Sequence, residues 1–343
     1  MRETSDLFGP AADEESDDEA PAHGRGRPLG PAAQDTDVRD LGRRLPAQIR
    51  LGTSSWSFPG WAGLIYDKPS SESLLSKKGL SAYALHPVLR AVGIDRSFYQ
   101  PLGAAEYAAY AAQVTPGFQF LVKAPALVTD EMRRDDDGRG MAANPFFFDA
   151  QRAFDEFVKP AIAGLGAHAG PLTFQFSPLS RRTLADVPGW VARLHTFLWE
   201  LNRMCAGFTH TPLFAVEVRN RELLTRDFAD ALKDAGARYC LSVHARMPPA
   251  EEQLPLLRAL WPGPLVVRWN LHAGLAYAEA KSSYAPFNRL IDEDPETRAT
   301  LAKVAAATAR AGHAVTIIAN NKAEGSAPLT LLKLARAIID APG

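Results

Sequence analysis

The sequence has few cysteines, and this excludes a scaffold built on disulfides. Only two occur in 343 residues, Cys205 and Cys240. Secreted domains that depend on disulfides carry many more for their length. The sequence predicts that both thiols are buried and reduced, and that neither is a catalytic nucleophile.

Long apolar runs and targeting patterns are also missing. No stretch reaches the roughly 18 consecutive apolar residues of a membrane-spanning helix. The first 30 residues lack the basic-then-apolar order of a signal peptide. We therefore expect a cytoplasmic protein that has no membrane partner.

Several short motifs of familiar enzyme classes are absent. There is no G-x-S-x-G elbow, no P-loop, no H-E-x-x-H pair and no C-x-x-C pair. The glycine-rich stretch 24–30 has neither a strand before it nor a helix after it. Triad hydrolases, P-loop enzymes and common zinc sites therefore find no support, and neither a metal nor another cofactor is expected. A metal held by Asp95, Glu217 and His244 remains as a geometric alternative.

The first 47 residues differ in composition from the rest of the chain. They hold 11 acidic and 6 basic residues, with much Pro and Gly and almost no aromatic or β-branched residues. Such a segment cannot bury enough apolar surface to offset the entropy lost on ordering. Residues 1–47 are predicted to be a disordered acidic tail, whose deletion should leave the melting temperature unchanged within about 1 °C. Residues 48–343 carry 32 basic and 28 acidic residues, too small an excess for a dedicated nucleic-acid binder.

Eight short apolar runs alternate with helical segments beyond residue 48. This alternation predicts parallel βα units, and eight is the strand number of a (β/α)₈ barrel of the TIM type. The predicted strands are 49–53, 91–95, 118–123, 171–176, 213–218, 237–243, 264–269 and 314–319, and the predicted helices are 104–114, 146–165, 190–205, 221–235, 250–260, 295–311 and 329–340. A doubly wound open sheet is the main alternative, but it normally has a glycine-rich first turn where this chain has GTSSWSFPGW.

Polar residues follow every predicted strand. In a TIM-type barrel the carboxyl ends of the strands form the mouth where active sites lie. Lys123 and Glu217 end apolar strands, where a charge costs several kcal/mol without a partner or water. Glu217 and Arg219 share a strand face. The candidate catalytic residues are Glu217, Lys123, His244 and Asp95, and the candidate substrate-binding residues are Ser54, Trp56, Tyr99, Gln175, Arg219, Arg268, Asn320 and Asn321.

Two interpretations of these charges stay open. They form either a structural ion network at the top of the barrel or an anion-binding, acid–base site. In the second interpretation Glu217 is the acid–base group, and Lys123 acts as a point charge or, if its pKa is depressed, as a base or Schiff-base amine. The anion clamp would consist of Lys123, Arg219 and Arg268, with Gln175, Asn320 and Asn321 as orienting donors.

Seven separated motifs resemble those of the YecE-like family, also called domain of unknown function 72. In chain order they are GTSSWSFPGW, GIDRSFYQPL, FQFLVKAP, GPLTFQFSP, FAVEVRNREL, VVRWN and IIANNKAEGSAP, and they span about residues 49–339. The resemblance implies a barrel. It implies no activity, because none is established for that family.

The family's motif positions fall largely on the polar residues chosen above. They are Gly52, Thr53, Ser54, Phe98, Tyr99, Val122, Lys123, Ala124, Pro125, Gln175, Glu217, Arg219, Asn320 and Asn321. One departure concerns the second strand, where many members have Val-Glu-Ile-Asn and this chain has Val92, Gly93, Ile94 and Asp95. A carboxylate is lost at Gly93 and gained at Asp95.

The expected function is that of an enzyme acting on an anionic small molecule, phosphate-bearing or sugar-like. Two other classes stay open. One is a nucleic-acid binding or processing protein, whose mouth cations meet phosphates while Trp56 or Tyr99 stacks on bases. The other is a non-catalytic ligand sensor or scaffold. The sequence does not specify an oligomeric state.

Overall fold

Eight parallel strands close into a barrel in this computed structural model, which describes residues 28–134, 141–209, 211–272 and 277–342. Each strand pairs with the next along the chain, and the last pairs with the first. The strands are β1 (Ile49–Thr53), β2 (Leu89–Ile94), β3 (Gln119–Lys123), β4 (Ala169–Gln175), β5 (Phe214–Glu217), β6 (Arg238–Val243), β7 (Leu265–Trp269) and β8 (Val315–Ala319). All begin within two residues of the predicted starts, so the barrel prediction is confirmed.

Helices alternate with the strands. They are α1 (Thr36–Arg44), α2 (Glu72–Lys78), α3 (Leu80–Tyr83), α4 (Arg96–Tyr99), α5 (Ala104–Ala111), α6 (Ala126–Thr129), α7 (Ala150–Ala153), α8 (Lys159–Leu165), α9 (Arg181–Leu184), α10 (Val187–Met204), α11 (Arg226–Asp234), α12 (Ala250–Ala259), α13 (Tyr277–Tyr284), α14 (Pro295–Arg310) and α15 (Ala327–Ile339). A π-helical segment, Phe154–Val158, joins α7 to α8. No helix in the described part of the chain is long and apolar enough to cross a membrane.

The predicted helix 221–235 begins later than expected. Thr225 is the N-cap of α11, because its side chain accepts a hydrogen bond from the backbone N–H of Phe228 at 3.2 Å. The residues before it form a separate 3-10 turn, Arg221–Leu223.

A short antiparallel ribbon, Met132–Arg134 with Met141–Ala143, lies in the long connection after β3. Residues 135–140 of that connection lie outside the described residues.

The predicted tail of residues 1–47 is wrong over its last part. Residues 36–44 form helix α1, and Val38, Leu41 and Leu45 on one side of it are buried. Arg90 secures the segment by donating to the carbonyl oxygen of Gly42 at 2.6 Å and to that of Pro46 at 2.9 Å. The apolar residues recur at helical spacing, but the acidic composition of the whole segment concealed them. Residues 1–27 lie outside the described residues.

The interior of the barrel changes from apolar to charged within one layer of side chains. An apolar cluster lies below the mouth and consists of Ala91, Leu121, Ala215, Cys240, Val266 and Ile318. Residues two apart in a strand point to the same side. The next inward positions toward the mouth are therefore Gly93, Lys123, Glu217, Ser242, Arg268 and Asn320. Strand geometry alone thus gathers several of the candidate residues above the apolar cluster.

Both cysteines are buried and unbonded, as the sequence predicts. Burial raises the pKa of the Cys205 thiol to about 11 and holds that of Cys240 well above its usual value. Neither thiol is ionised near neutral pH, so neither has the thiolate that nucleophilic catalysis requires.

Candidate functional site

Glu217 is the centre of a buried hydrogen-bonded network at the top of the barrel interior. Its side chain is 0 % exposed. Oε2 accepts a hydrogen bond from Nη1 of Arg268 at 2.8 Å, and Oε1 accepts from Oγ of Ser242 and from Nδ2 of Asn270, both at 2.9 Å. Arg219 forms an ion pair with the same Oε1. Both carboxylate oxygens are therefore occupied by donors from the protein itself.

The network keeps Glu217 ionised. Burial acts to raise the pKa of its carboxyl group, but the charges of Arg219 and Arg268 outweigh burial and hold the pKa well below its usual range. A general acid must carry a proton at the working pH, and a strongly stabilised carboxylate is a weak base. This geometry favours a positioning role for Glu217, which fixes the two arginines, over the acid–base role.

The two arginines have more partners than the sequence suggested. Both donate to Oε1 of Gln175, Arg268 at 3.0 Å and Arg219 at 3.2 Å. Nη2 of Arg268 also donates to both carboxylate oxygens of Asp95. The anion clamp predicted from cations alone is therefore corrected, because these arginines already face carboxylates. Nε of Arg268 is buried and has no hydrogen-bond partner among the described residues.

Lys123 ends β3 beside this network and is buried, with 3 % of its surface exposed. Its Nζ lies 3.5 Å from the centroid of the Phe98 ring. Burial lowers the pKa of the amine to about 7, the charges of Asp95 and Glu217 oppose this shift, and those of Arg268 and Arg219 add to it. The ammonium of Lys123 is therefore easier to deprotonate than that of an ordinary lysine.

Lys322 is a second buried lysine at the mouth, and it was not among the candidate residues. It lies in the loop after β8, where its N–H donates to Oδ1 of Asn320 at 3.0 Å and its carbonyl accepts from His272 at 3.0 Å. Burial lowers the pKa of Lys322 to about 8, the charge of Lys281 adds to the shift, and that of Asp95 opposes it.

His244 lies directly after β6 and is neutral. Its Nδ1 accepts a hydrogen bond from the backbone N–H of Arg246 at 3.2 Å, which leaves the ring proton on Nε2. Burial lowers the pKa of His244 to about 3, and the charge of Arg219 adds to the shift. The ring can therefore offer a neutral donor, but not a cation, at neutral pH.

Two candidate asparagines have different surroundings. Nδ2 of Asn320 donates to Oγ of Ser54 at 2.9 Å and so joins β8 to β1 at the rim. Oδ1 of Asn321 instead accepts from the N–H of Ala327 at 2.9 Å, at the first turn of α15. Asn320 borders the mouth, whereas Asn321 organises the start of the last helix.

The two aromatic candidates also differ. Trp56 is buried, its indole N–H donates to the carbonyl of Leu75 at 3.2 Å, and its ring meets Tyr110 edge-on at 5.4 Å. This is a packing role, and it leaves no open face for stacking on a base or sugar. Tyr99 is 60 % exposed and packs edge-on against Phe98.

The metal alternative finds no support in the described part of the chain. No group of three or more His, Cys, Asp or Glu side chains there is placed to hold a metal ion. Glu217 in particular is taken up by Arg219 and Arg268.

Two cavities of about 390 and 520 Å³ lie elsewhere, one between α12 and α14 and one beside α1 and α15. None of the residues that line them is a candidate residue.

The sequence matches the model of a known protein family. The model of the family described as "Protein of unknown function DUF72" matches residues 50–341. The chain belongs to this family. The match contains all seven motifs, so the resemblance to YecE-like proteins is confirmed.

Solved structures of other DUF72 proteins share the fold. A DUF72 family protein from Enterococcus faecalis is similar with a TM-score of 0.55 and 16 % identity, over 86 % of this chain and 97 % of that one. One from Thermotoga maritima has a TM-score of 0.52 and 16 % identity, over 84 % of this chain and 98 % of that one. At this identity the likeness shows the fold alone. No curated protein matches the chain.

This DUF72 chain differs from many members at its second strand, where its carboxylate is at Asp95 and position 93 is a glycine. Gly93 faces the interior, where an added Cβ would lie 3.1 Å from the carbonyl oxygen of Ser54. Asp95 lies one inward position nearer the rim and binds Arg268 from there. The carboxylate of this strand is therefore near the opening of the mouth, and its side chain is 36 % exposed.

Ser242 and Lys322 were missed as site residues. Ser242 accepts from Arg219 and donates to Glu217, so it links the charges of the network. Strand alternation contained the signal, because Ser242 lies two residues before His244 on the same face. Lys322 directly follows the asparagine pair of the seventh motif, and its charge was the available signal.

Proposed function

We propose that the mouth of this DUF72 barrel is the active site of an enzyme that acts on a small anionic molecule, phosphate-bearing or sugar-like. The placement of Asp95 supports this proposal. Its carboxylate is bound by Arg268, and its charge acts on Lys123 and Lys322. Asp95 is more exposed than any of these three cationic side chains. An anion entering the mouth would meet these cations beside a partly exposed carboxylate.

The buried network has a positioning role in this proposal. Glu217 fixes Arg219 and Arg268, and Gln175 accepts from both. Charged donors that are held in place before a substrate binds can stabilise the charge that develops on it in the transition state, because the donors need not move first. Lys123, with Asp95 as its partner, takes the reactive role first assigned to Glu217.

A purely structural network would account for Glu217 and the arginines, but not for the two lysines. Buried ion pairs are weak contributors to stability, and apolar residues would fill the same space at lower cost. Lys123 and Lys322 have pKa values lowered to about 7 and 8 at the end of the barrel where enzymes of this fold act. Perturbed pKa values of this kind cluster at functional sites.

The nucleic-acid alternative has less support. It depended on Trp56 or Tyr99 as a stacking surface, and the ring of Trp56 is buried beneath α2. Of these two residues, only Tyr99 has an exposed ring. A sensor or scaffold would use the same mouth, so turnover is what separates it from an enzyme.

Incubation of the full-length protein with a metabolite extract, followed by mass spectrometry, tests the proposal. The protein should retain and convert at least one anionic metabolite. Lys322→Met should weaken its binding at least about 10-fold, since a hydrogen bond to a charged group contributes about 1.5 to 3 kcal/mol. Lys303→Met is the matched control, because Lys303 is exposed on α14 and lines the cavity between α12 and α14.

The outcomes are distinct. Conversion that disappears in Lys123→Met supports the enzyme. Retention without conversion by the wild-type protein supports the sensor. If no anionic metabolite is retained or converted, and calorimetry detects no binding of phosphate at low salt, the proposal fails.

A further inference from the structure

We infer that Lys123 is a nucleophilic amine that forms a Schiff base with an aldehyde or ketone group of the substrate. This inference rests on the proposed function for the anionic part of the substrate and adds the chemistry of its reacting carbon. It follows from where the amine lies, from the charges around it and from the separate position of Lys322.

The main chain of Lys123 is fixed at the end of β3. Its carbonyl accepts a hydrogen bond from Oγ of Ser97 at 2.6 Å. Leu121, two residues earlier, belongs to the apolar cluster of the barrel interior, so the lysine side chain leaves the strand on the inward face. Nζ then lies against the ring of Phe98. Burial away from water beside other cations, here Arg268 and Arg219, is one of the ways in which proteins activate a lysine as a nucleophile.

The charge state of this amine suits nucleophilic attack. Burial lowers its pKa to about 7, and the nearby arginines act in the same direction. The unprotonated fraction of this amine at neutral pH is then much larger than that of an ordinary lysine, which is well under 1 %. Only the unprotonated form has the lone pair that attacks a carbonyl carbon.

The step balances with the groups present at the mouth. The Nζ lone pair forms a bond to the carbonyl carbon, the π electrons of the C=O bond move to oxygen, and one amine proton passes from nitrogen to that oxygen. The remaining amine proton then passes to the same oxygen, which leaves as water as the C=N bond forms. Asp95, the carboxylate whose charge acts most strongly on Lys123, takes each of the two protons from nitrogen in turn and passes it to the oxygen. No oxidant or reductant is consumed, and hydrolysis restores the amine.

Lys123 has no charge once it has lost its proton. Lys322 then serves as the cation that binds the anionic group of the substrate. Its loop is tied to β1 through Asn320 and Ser54 and to the segment after β7 through His272. The charge of Asp95 acts on both lysines. A carbonyl compound that also carries a phosphate or carboxylate can place its reactive carbon at Lys123 and its anionic group toward Lys322.

Reductive trapping with a matched pair of probes tests the inference. The full-length protein is incubated at neutral pH with glycolaldehyde or with glycolaldehyde phosphate, and cyanoborohydride reduces any Schiff base to a stable secondary amine. Peptide mass spectrometry follows the adduct at each lysine over time. Lys123 should be labelled at least about 10-fold faster than exposed lysines such as Lys77 and Lys303, because its unprotonated fraction is much larger.

Three variants serve as controls. Lys123→Arg keeps a cation but should lose the fastest adduct. Asp95→Asn removes the proton carrier and should slow labelling of Lys123 by both probes. Lys322→Met should remove the advantage of glycolaldehyde phosphate over glycolaldehyde in the labelling of Lys123.

Labelling of Lys123 no faster than that of the exposed lysines, with both probes, would overturn the inference. The proposed function would survive that result if anionic metabolites still bind at the mouth. Faster labelling of Lys123 by glycolaldehyde, with no advantage for its phosphate, supports the Schiff base and counts against an anionic substrate. The failure of one proposal can therefore be told from the failure of the other.

Discussion

Arg268 donates two hydrogen bonds from its Nη2 to the carboxylate of Asp95, at 3.1 and 3.0 Å, across 173 positions of sequence. Nη1 of the same guanidinium donates to Glu217. Burial acts to lower the pKa of Arg268, but the two carboxylates outweigh it and raise the pKa above its usual value. One permanent cation thus connects a fully buried carboxylate with a partly exposed one.

Glu217→Gln should destabilise the fold. The substitution keeps shape and hydrogen-bonding atoms but leaves Arg219 and Arg268 short of a buried counter-charge. The free energy of unfolding in urea should fall by about 3 to 5 kcal/mol. Asp230→Asn is the matched control, because Asp230 forms an exposed pair with Arg226 and its loss should cost under about 0.5 kcal/mol. A loss below about 1 kcal/mol for Glu217→Gln would restore its acid–base role.

Lys123→Met should change how stability depends on pH. The folded pKa of Lys123 is about 7, below the ordinary 10.5. Between these values the unfolded chain holds a proton that the folded protein lacks, so the wild-type protein gains stability as pH rises. The variant lacks this gain, which is at most about 1.4 kcal/mol per pH unit. Urea unfolding of both proteins at about pH 6.5 and 9 measures it. Parallel pH dependences would show that the amine titrates as an ordinary lysine.

The barrel and the inward positions of its mouth could be predicted from local pattern. Apolar runs marked the eight strands, and alternation placed Glu217 and Arg219 on one face. Both signals lie within a few consecutive residues, and the structure agrees with each of them.

The pairing of the charges could not be predicted in the same way. Which carboxylate neutralises which arginine depends on contacts between distant strands, such as that of Arg268 with Asp95. The sequence therefore suggested unmatched cations, where the structure shows Arg219 and Arg268 already paired. Helix α1 was missed for a different reason, because its few apolar residues lie in a segment of acidic composition.

Trp56→Phe should reduce stability without affecting the mouth. The phenyl ring keeps part of the packing against Tyr110 but loses the indole hydrogen bond to the carbonyl of Leu75. We expect a loss of about 1 to 2 kcal/mol in urea unfolding. Binding of phosphate, followed by calorimetry, should equal that of the wild-type protein. Weaker binding with unchanged stability would return Trp56 to the set of ligand-binding residues.

Leu41→Ala should lower the melting temperature, although Leu41 lies in the segment first expected to be a disordered tail. Its side chain is buried on α1, and truncating a buried leucine costs about 2 to 5 kcal/mol. In a domain of this size that corresponds to at least about 4 °C. Deleting residues 1–47 should cost more, because Val38 and Leu45 are removed as well. Arg39→Ala is the matched control, since Arg39 is exposed on the same helix and should change the melting temperature by less than about 1 °C. Equal melting temperatures for Leu41→Ala and the wild-type protein would mean that α1 does not pack on the barrel in solution.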